Sequence, residues 1–331
     1  MRTTQKTSSR RTSDKQKLPS VVLITGGAGF IGSSLARTLL DQGITVYVVD
    51  NFSTGSRENI RPFLRNKLFH FYTLDITKPK FFNTFSRIPF DTVYHLACPT
   101  GVPNIQPMAE EMLLASSFGT LHVLELARMH STRFLFTSTA EVYGAPEVTP
   151  QHEEYTGNVS PIGLRSPYEE GKRFSESLVA MYVRKYGLDA KIVRVFNTYG
   201  PRMSLSDKRV IPHFLHSILT GANITIYGTG SQTRTHLYID DLLRGLLLVM
   251  RKGSRGEVYN IGGDKQITVK RLAETMLHLA NRKNGVSYVP HFIEDHQHRQ
   301  PEISKVSKLG WKQTIPLEEG LKRMIEFHGI A

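Results

Sequence analysis

The run Val21–Gly32, reading VVLITGGAGFIG, restricts this chain to few architectures. A short continuous apolar segment, Val21–Thr25, has the character of a fully buried strand. Glycines follow at positions 26, 27, 29 and 32, and from Phe30 to Asp41 the apolar residues recur at helical spacing. A strand feeding a helix through such a turn presents free backbone N–H groups and the positive end of the helix dipole. A pyrophosphate settles there, provided no Cβ blocks its approach. The next strand-like run, Thr45–Asp50, ends in an acid. A carboxylate at that place accepts both hydroxyls of an adenine ribose and repels a 2′-phosphate, which favours NAD; Arg57 nearby keeps NADP as the alternative.

Further strand-like runs occur at Leu68–Ile76, Thr92–Ala97, Arg133–Thr139 and Ala190–Val195. Helical patterns separate the later ones, notably Ala109–His130 and Ser166–Tyr186. This alternation predicts an α/β fold, a doubly wound parallel (Rossmann) sheet covered on both faces. After Phe196 the elements shorten and Gly, Pro and Asn become frequent, predicting a smaller C-terminal substrate-binding lobe. The expected division is a basic tail over 1–18, an NAD-binding domain over 19–195 with parts of 235–262 returning to it, and a substrate lobe that is mainly 196–331. Ligands of open α/β sheets lie at the carboxyl ends of the strands. Gly26, Gly29, Phe30, Ile31, Gly32, Asp50, Asn51, Asp75, Ile76 and Ala97 are therefore candidate cofactor contacts.

The chemistry points to the segment Ser166–Lys172. Ser166 and Glu169 have the spacing of a capping box with Pro167 at the first helical position, and Gly187 ends the helix. Tyr168 and Lys172, four apart, share a face in the first turns. A phenol titrates near ~10, but a neighbouring ammonium and an oxidised nicotinamide both favour the phenolate. The pair then suits removal of a hydroxyl proton while hydride leaves for NAD. At the end of the fifth strand, Thr139 is placed to hydrogen-bond the reacting hydroxyl, and Glu141 is a candidate acid or base.

Composition narrows the rest. No stretch of about 18 apolar residues is present, so no membrane span is expected. The single cysteine, Cys98, excludes an internal disulfide and fits a cytoplasmic protein; at the end of an apolar run it is expected to pack. The net charge of +13 is partly that of the first twenty residues, where Arg2, Lys6, Arg10, Arg11, Lys15 and Lys17 face only Asp14. That segment lacks the apolar stretch of a signal peptide and is expected to be disordered. Without an aromatic-interleaved basic cluster or zinc-finger spacing, the remaining charge suits an anionic small substrate better than nucleic acid. His291, His296 and His298 lack acidic or Cys companions at ligand spacing, so no metal site is expected.

From about Leu18 to the C-terminus the chain resembles the extended short-chain dehydrogenase/reductase family, and within it the UDP-glucuronate decarboxylases. The resemblance rests on Val21–Gly32, Asp50-Asn51-Phe52, Tyr94–Ala97, Glu141–Gly144, Pro161-Ile162-Gly163 and Tyr168-x-Glu170-Gly171-Lys172. Phe196–Met203, Tyr227–Arg234, Arg299-x-Pro301 and Pro316–Leu321 extend it. It implies NAD as cofactor, a UDP-sugar as substrate and a homodimer built on the helices of 109–130 and 166–186. It also implies that Tyr168 and Lys172 are the redox pair, that Thr139 and Glu141 sit at the sugar, and that Arg299 faces the sugar carboxylate. Asn197 and Arg234 would hold the diphosphate, with Asn104, Arg209, Val210 and Tyr227 also on the substrate. Three positions depart from the pattern: Ala140 stands where Ser is usual, Ile105 where Tyr is usual and Ser116 where Asn is usual. A 4-epimerase or 4,6-dehydratase shares the first oxidation step, and a protein that only senses NAD is the non-enzymatic alternative.

Overall fold

The computed structural model describes residues 20–290 and 298–330; the basic tail and the histidines at 291 and 296 lie outside the described residues. Seven strands, β1 (Val21–Thr25), β2 (Thr45–Asp50), β3 (Phe69–Thr73), β4 (Thr92–His95), β5 (Arg133–Thr139), β6 (Ala190–Val195) and β7 (Val258–Ile261), form one parallel sheet. Their order is β7-β6-β5-β4-β1-β2-β3. The order reverses between β1 and β4, which opens a crevice at the carboxyl ends of those strands.

Alternation along each strand loads both faces of the sheet. Val22 and Ile24 belong to one core with Leu35 and Leu39 of α1 (Phe30–Leu40), and with Leu242 and Leu246 of a helix at Ile239–Lys252. Leu23, Val93 and Phe134 belong to the opposite core, with Val123 and Leu124 of α3 (Thr120–Met129) and Val179 of α4 (Ser166–Tyr186). Each such Leu or Ile, taken fully from water, contributes about 1.5–3 kcal/mol. The sheet is thus doubly wound, as the sequence implies.

The region Ala109–His130 is not one uniform helix. α2 (Ala109–Leu114) passes through a wide π-type turn at Ala115–Gly119 before α3 begins. Two close approaches surround this turn. A Cβ on Gly119 would stand 2.6 Å from Ile76 Cδ1, and one on Gly171 of α4 would stand 3.0 Å from Ser116 Oγ. Helix–helix partners take up the widened turn's carbonyls: the Ser175 hydroxyl donates to Ser116 O at 2.7 Å.

Two other boundaries move for local reasons. β3 stops at Thr73 rather than Ile76 because Asp75 Oδ1 accepts from the Thr77 N–H and hydroxyl, making a turn. The Ser166–Glu169 capping box does not form. Arg165 is the N-cap and its Nε donates to Glu169 Oε1 at 2.9 Å, so a charged partner takes the carboxylate that Ser166 would have used. Gly187 does end α4, in the left-handed region at φ 68°.

A chain of buried hydrogen bonds fastens the sheet to the helices. Thr25 Oγ1 meets His95 Nδ1 at 2.7 Å, His95 Nε2 meets Thr120 Oγ1 at 3.0 Å, and Thr120 Oγ1 meets Ser175 Oγ at 3.2 Å. Burial, seconded by the charge of Lys172, pushes the His95 imidazole down to about 3, so it is neutral at physiological pH.

Beyond β6 the strands outside the main sheet are only two to four residues long. Strand Thr198–Tyr199 pairs with Leu237–Tyr238, Ile224–Tyr227 pairs with Val286–Val289, and Thr233–Thr235 lies between Gln266–Thr268 and His298–Arg299. Helices Val210–Thr220, Val269–Leu279 and Leu317–Phe327 pack on them. None of the helices among the described residues is long and apolar enough to cross a membrane.

Candidate active site

A cavity of about 490 Å³ follows the carboxyl edge of β1, β2, β4 and β5 and continues past the first turns of α4. At one end lies the glycine turn. Gly26 has φ 72°, and a Cβ there would come within 2.8 Å of Ala97 Cα and N. A Cβ on Gly32 would stand 2.3 Å from Gly26 O. Gly29 is the N-cap of α1 and no side chain caps that terminus. This cradle fits a dinucleotide: bare backbone brings α1 close to β1 and β4 and leaves its first N–H groups for an anion.

Asp50, at the end of β2, is almost fully buried yet lines the cavity. Its Oδ2 accepts from Ala28 N at 2.9 Å and its Oδ1 from Phe52 N at 2.7 Å. Burial raises its pKa, and these two N–H donors partly offset the rise. They fix the carboxylate while each oxygen keeps capacity for a further donor. Arg57 turns away from the cavity, its guanidinium 4.5 Å from the centre of the Phe52 ring. Asn51, Asp75, Ile76, Ala97, Phe30 and Ile31 all line the same wall.

Tyr168 and Lys172 sit one turn apart on α4, at the middle of the cavity. Lys172 is 4% exposed. Its Nζ donates to Thr137 O at 3.0 Å and lies 4.8 Å from the Phe136 ring centre, which fixes the ammonium beside the end of β5. Thr139, also at that end, accepts Glu141 N on its Oγ1 at 3.2 Å and so caps the short turn Ala140–Tyr143 that carries Glu141.

The Glu141 carboxylate lies between two guanidiniums: Arg165 Nη2 bonds its Oε2 and Arg299 Nη1 its Oε1. Arg165 also bonds Glu169, so four charges alternate in a row. Burial disfavours the Arg165 cation, but Glu141 and Glu169 outweigh it and its pKa is raised. Burial raises that of Glu169, against the Arg165 hydrogen bond. Arg299 itself is buried behind Glu141, and its Nη2 donates to Gly144 O at 3.2 Å.

The structure does not gather every expected residue. Asn197 and Arg209 line the cavity. Asn104 does not; its Nδ2 folds back onto Thr100 O at 2.7 Å, and its neighbours Val102 and Ile105 form the wall instead. Val210 opens its helix just past Arg209, while Tyr227 ends a strand outside the cavity wall. Arg234 is paired in register with Arg299 and donates to Thr233 O at 2.9 Å. Cys98 is not a core residue: it is half-buried on the cavity wall, its Sγ 3.7 Å from Ser116 Oγ.

Sequence reasoning missed Arg165 and Ser138, which both line the cavity. Ser138 Oγ is buried without a hydrogen-bond partner. Its place beside Thr139 at a strand end was the available signal. Arg165 gave none, because its partner Glu141 is 24 residues away.

A dinucleotide cradle continuous with a tyrosine–lysine pair is the arrangement of a nicotinamide-using enzyme of the extended short-chain dehydrogenase/reductase type. The model of the NAD dependent epimerase/dehydratase family matches residues 22–262, and the chain belongs to that family. It is 39% identical over 307 residues to UDP-glucuronic acid decarboxylase 1 of Danio rerio, covering 92% of this chain and 72% of that one. Among solved structures, a UDP-glucose 4-epimerase from Thermotoga maritima with UDP-glucose superposes with a TM-score of 0.86 at 32% identity, covering 93% of this chain and 98% of that one. A dTDP-glucose 4,6-dehydratase from Streptomyces venezuelae with NAD bound gives 0.84 at 28% identity, covering 93% and 96%.

Proposed function

We propose that this protein decarboxylates UDP-glucuronate, or a close nucleotide-linked uronate, through a 4-keto intermediate to a UDP-pentose such as UDP-xylose. The observation that carries the reading is the placing of Glu141 and Arg165 along one cavity with the Tyr168–Lys172 pair, Arg299 standing buried behind Glu141 and bonded to it. Residues 19–195, with parts of 235–262, would hold NAD, and 196–331 would form mainly the substrate side.

NAD, when bound, supplies a reversible hydride acceptor. Gly26, Gly29 and Gly32 leave room for its pyrophosphate, and Asp50 accepts from its ribose hydroxyls. Tyr168, as phenolate, takes the proton of the C4 hydroxyl, which Thr139 orients. Lys172 holds the negative charge of the phenolate by its own positive one. The C6 carboxylate is then β to a C4 ketone. The C5–C6 bond breaks, CO2 leaves, and its bonding electrons pass into a C4 enolate. A proton returns to C5 from solvent, with Glu141 as the candidate to relay it, and Tyr168 gives its proton back to the C4 oxygen as that carbon is reduced. Arg165 on the cavity wall, and Arg299 behind Glu141, would turn from the Glu141 carboxylate to share the C6 carboxylate's charge until CO2 departs. No net oxidant is consumed, so one NAD serves many turnovers.

Incubation with UDP-glucuronate and NAD tests the reading: CO2 and a UDP-pentose are expected. Appearance of UDP-galacturonate without CO2 would assign a 4-epimerase instead. A 4,6-dehydratase is disfavoured by Ala140, which offers no acid beside Glu141. The ribose role has its own test. Asp50→Ala should weaken NAD by about 1.5–3 kcal/mol, roughly tenfold to a hundredfold in Kd, and NADP much less. Titration of both cofactors measures this, and equal losses would count against the assignment.

The exposed apolar side chains Leu113 and Phe118 on the α2–π-turn stretch, Met129 on α3, and Phe174 and Tyr186 on α4 support a homodimer across these helices. A cytoplasmic location fits the single unpaired cysteine.

A further inference from the structure

We propose that Gln151 is a positioning residue for Arg299, setting where that guanidinium meets the sugar's carboxylate; this rests on the role given to Arg299 above. Among the described residues the strand carrying Arg299 is two residues long, His298–Arg299, and pairs with Thr233–Thr235 alone. The main chain immediately past Arg299 is tied to Gln151, which is fully buried.

The main chain of Gln151 donates to Gln300 O at 2.8 Å and accepts from Glu302 N at 2.7 Å, a bridge centred on Pro301. Its carboxamide then uses both ends. Oε1 accepts Gln300 N at 2.9 Å, while Nε2 donates to Val148 O at 2.7 Å and to Thr149 Oγ1 at 3.1 Å. The first residue after Arg299 is therefore held by both its N–H and its carbonyl.

The frame reaches the partner of Arg299 as well. Asn260, also fully buried, donates from Nδ2 to Gln151 O at 3.0 Å and to Glu302 O at 3.3 Å. Its Oδ1 accepts from the Tyr143 hydroxyl at 2.8 Å, and Tyr143 belongs to the same short turn as Glu141. Both halves of the Glu141–Arg299 pair thus hang from one buried polar frame.

The choice of glutamine has a chemical reason. A carboxylate on this fully buried side chain would set a negative charge against Val148 O, and an alkyl chain would leave Gln300 N without its acceptor. An error of about 1 Å in a group that positions substrate can cost on the order of 10²-fold in rate. A two-residue strand alone gives a long guanidinium side chain little such precision.

The test uses the full-length protein with NAD, carrying Gln151→Leu and, as a milder replacement, Gln151→Met. The expected result is a loss of tenfold or more in kcat/KM for UDP-glucuronate, while Kd for NAD and for UDP, which has no sugar carboxylate, stays within twofold. In an Arg299→Ala background the Gln151 substitutions should add nothing further, since residues acting as one unit are not additive. Equal losses toward UDP, NAD and UDP-glucuronate would reduce Gln151 to a packing residue and overturn the proposal. So would additive losses in the double variant, unchanged turnover of both single variants, or failure of both to fold. Full decarboxylation by Arg299→Ala would instead refute the role of Arg299 itself, a result distinct from any of these.

Discussion

Tyr168→Phe is expected to lower turnover of UDP-glucuronate by about 10²- to 10⁴-fold, or about 3–5 kcal/mol in the barrier, while NAD remains bound. The substitution deletes one oxygen and leaves α4, its Pro167 start and its Gly187 stop untouched. Lys172 keeps its bond to Thr137 O and its place over Phe136, so the cavity retains its shape and charge. The one group in the cavity proposed to take the C4 proton is lost. Steady-state rates together with a calorimetric NAD titration separate the two effects. Near-normal turnover would remove Tyr168 from the chemistry and assign the C4 proton to another group.

Gly32→Ala should have the opposite profile, abolishing NAD binding and destabilising the fold. The new Cβ would meet Gly26 O at 2.3 Å and Gly27 Cα at 2.7 Å, both backbone atoms of the turn. Neither can swing aside as a side chain would, so α1 must back away from β1. Overpacking of this kind costs about 1–3 kcal/mol, and it widens the cradle whose closeness admits a pyrophosphate. Thermal unfolding and an NAD titration measure the two losses. Wild-type affinity in this variant would show that the turn does not set the approach of the cofactor.

The parts of the molecule that are legible in the sequence are those whose physics is local. Val21–Gly32 declares its strand, turn and helix within twelve consecutive positions, and Asp50 comes at the end of the next strand. Tyr168 and Lys172 declare themselves by one helical turn. The illegible parts depend on long-range encounters. Arg165 reads as an ordinary loop arginine until the fold brings it to Glu141, and it displaces Ser166 from the capping arrangement that spacing suggests. Arg299 meets Glu141 from 158 positions away. The π turn at Ala115–Gly119 is equally hidden, since the contacts that surround it, Gly119 near Ile76 and Ser116 against α4, join residues far apart in the chain. Asn104 shows a third kind of miss, a side chain that satisfies itself on its own loop.

The place of β7 at the outer edge of the sheet bears on how the chain is made. Val258–Ile261 hydrogen-bonds to β6 in full register, but it is synthesised well after β6 has left the ribosome. Until then β6 presents an open row of backbone groups, the kind of surface on which neighbouring chains associate. Splitting the gene after Val195 would leave that exposure permanent. The two halves of this protein are therefore a single inheritance, to be transplanted or recombined together.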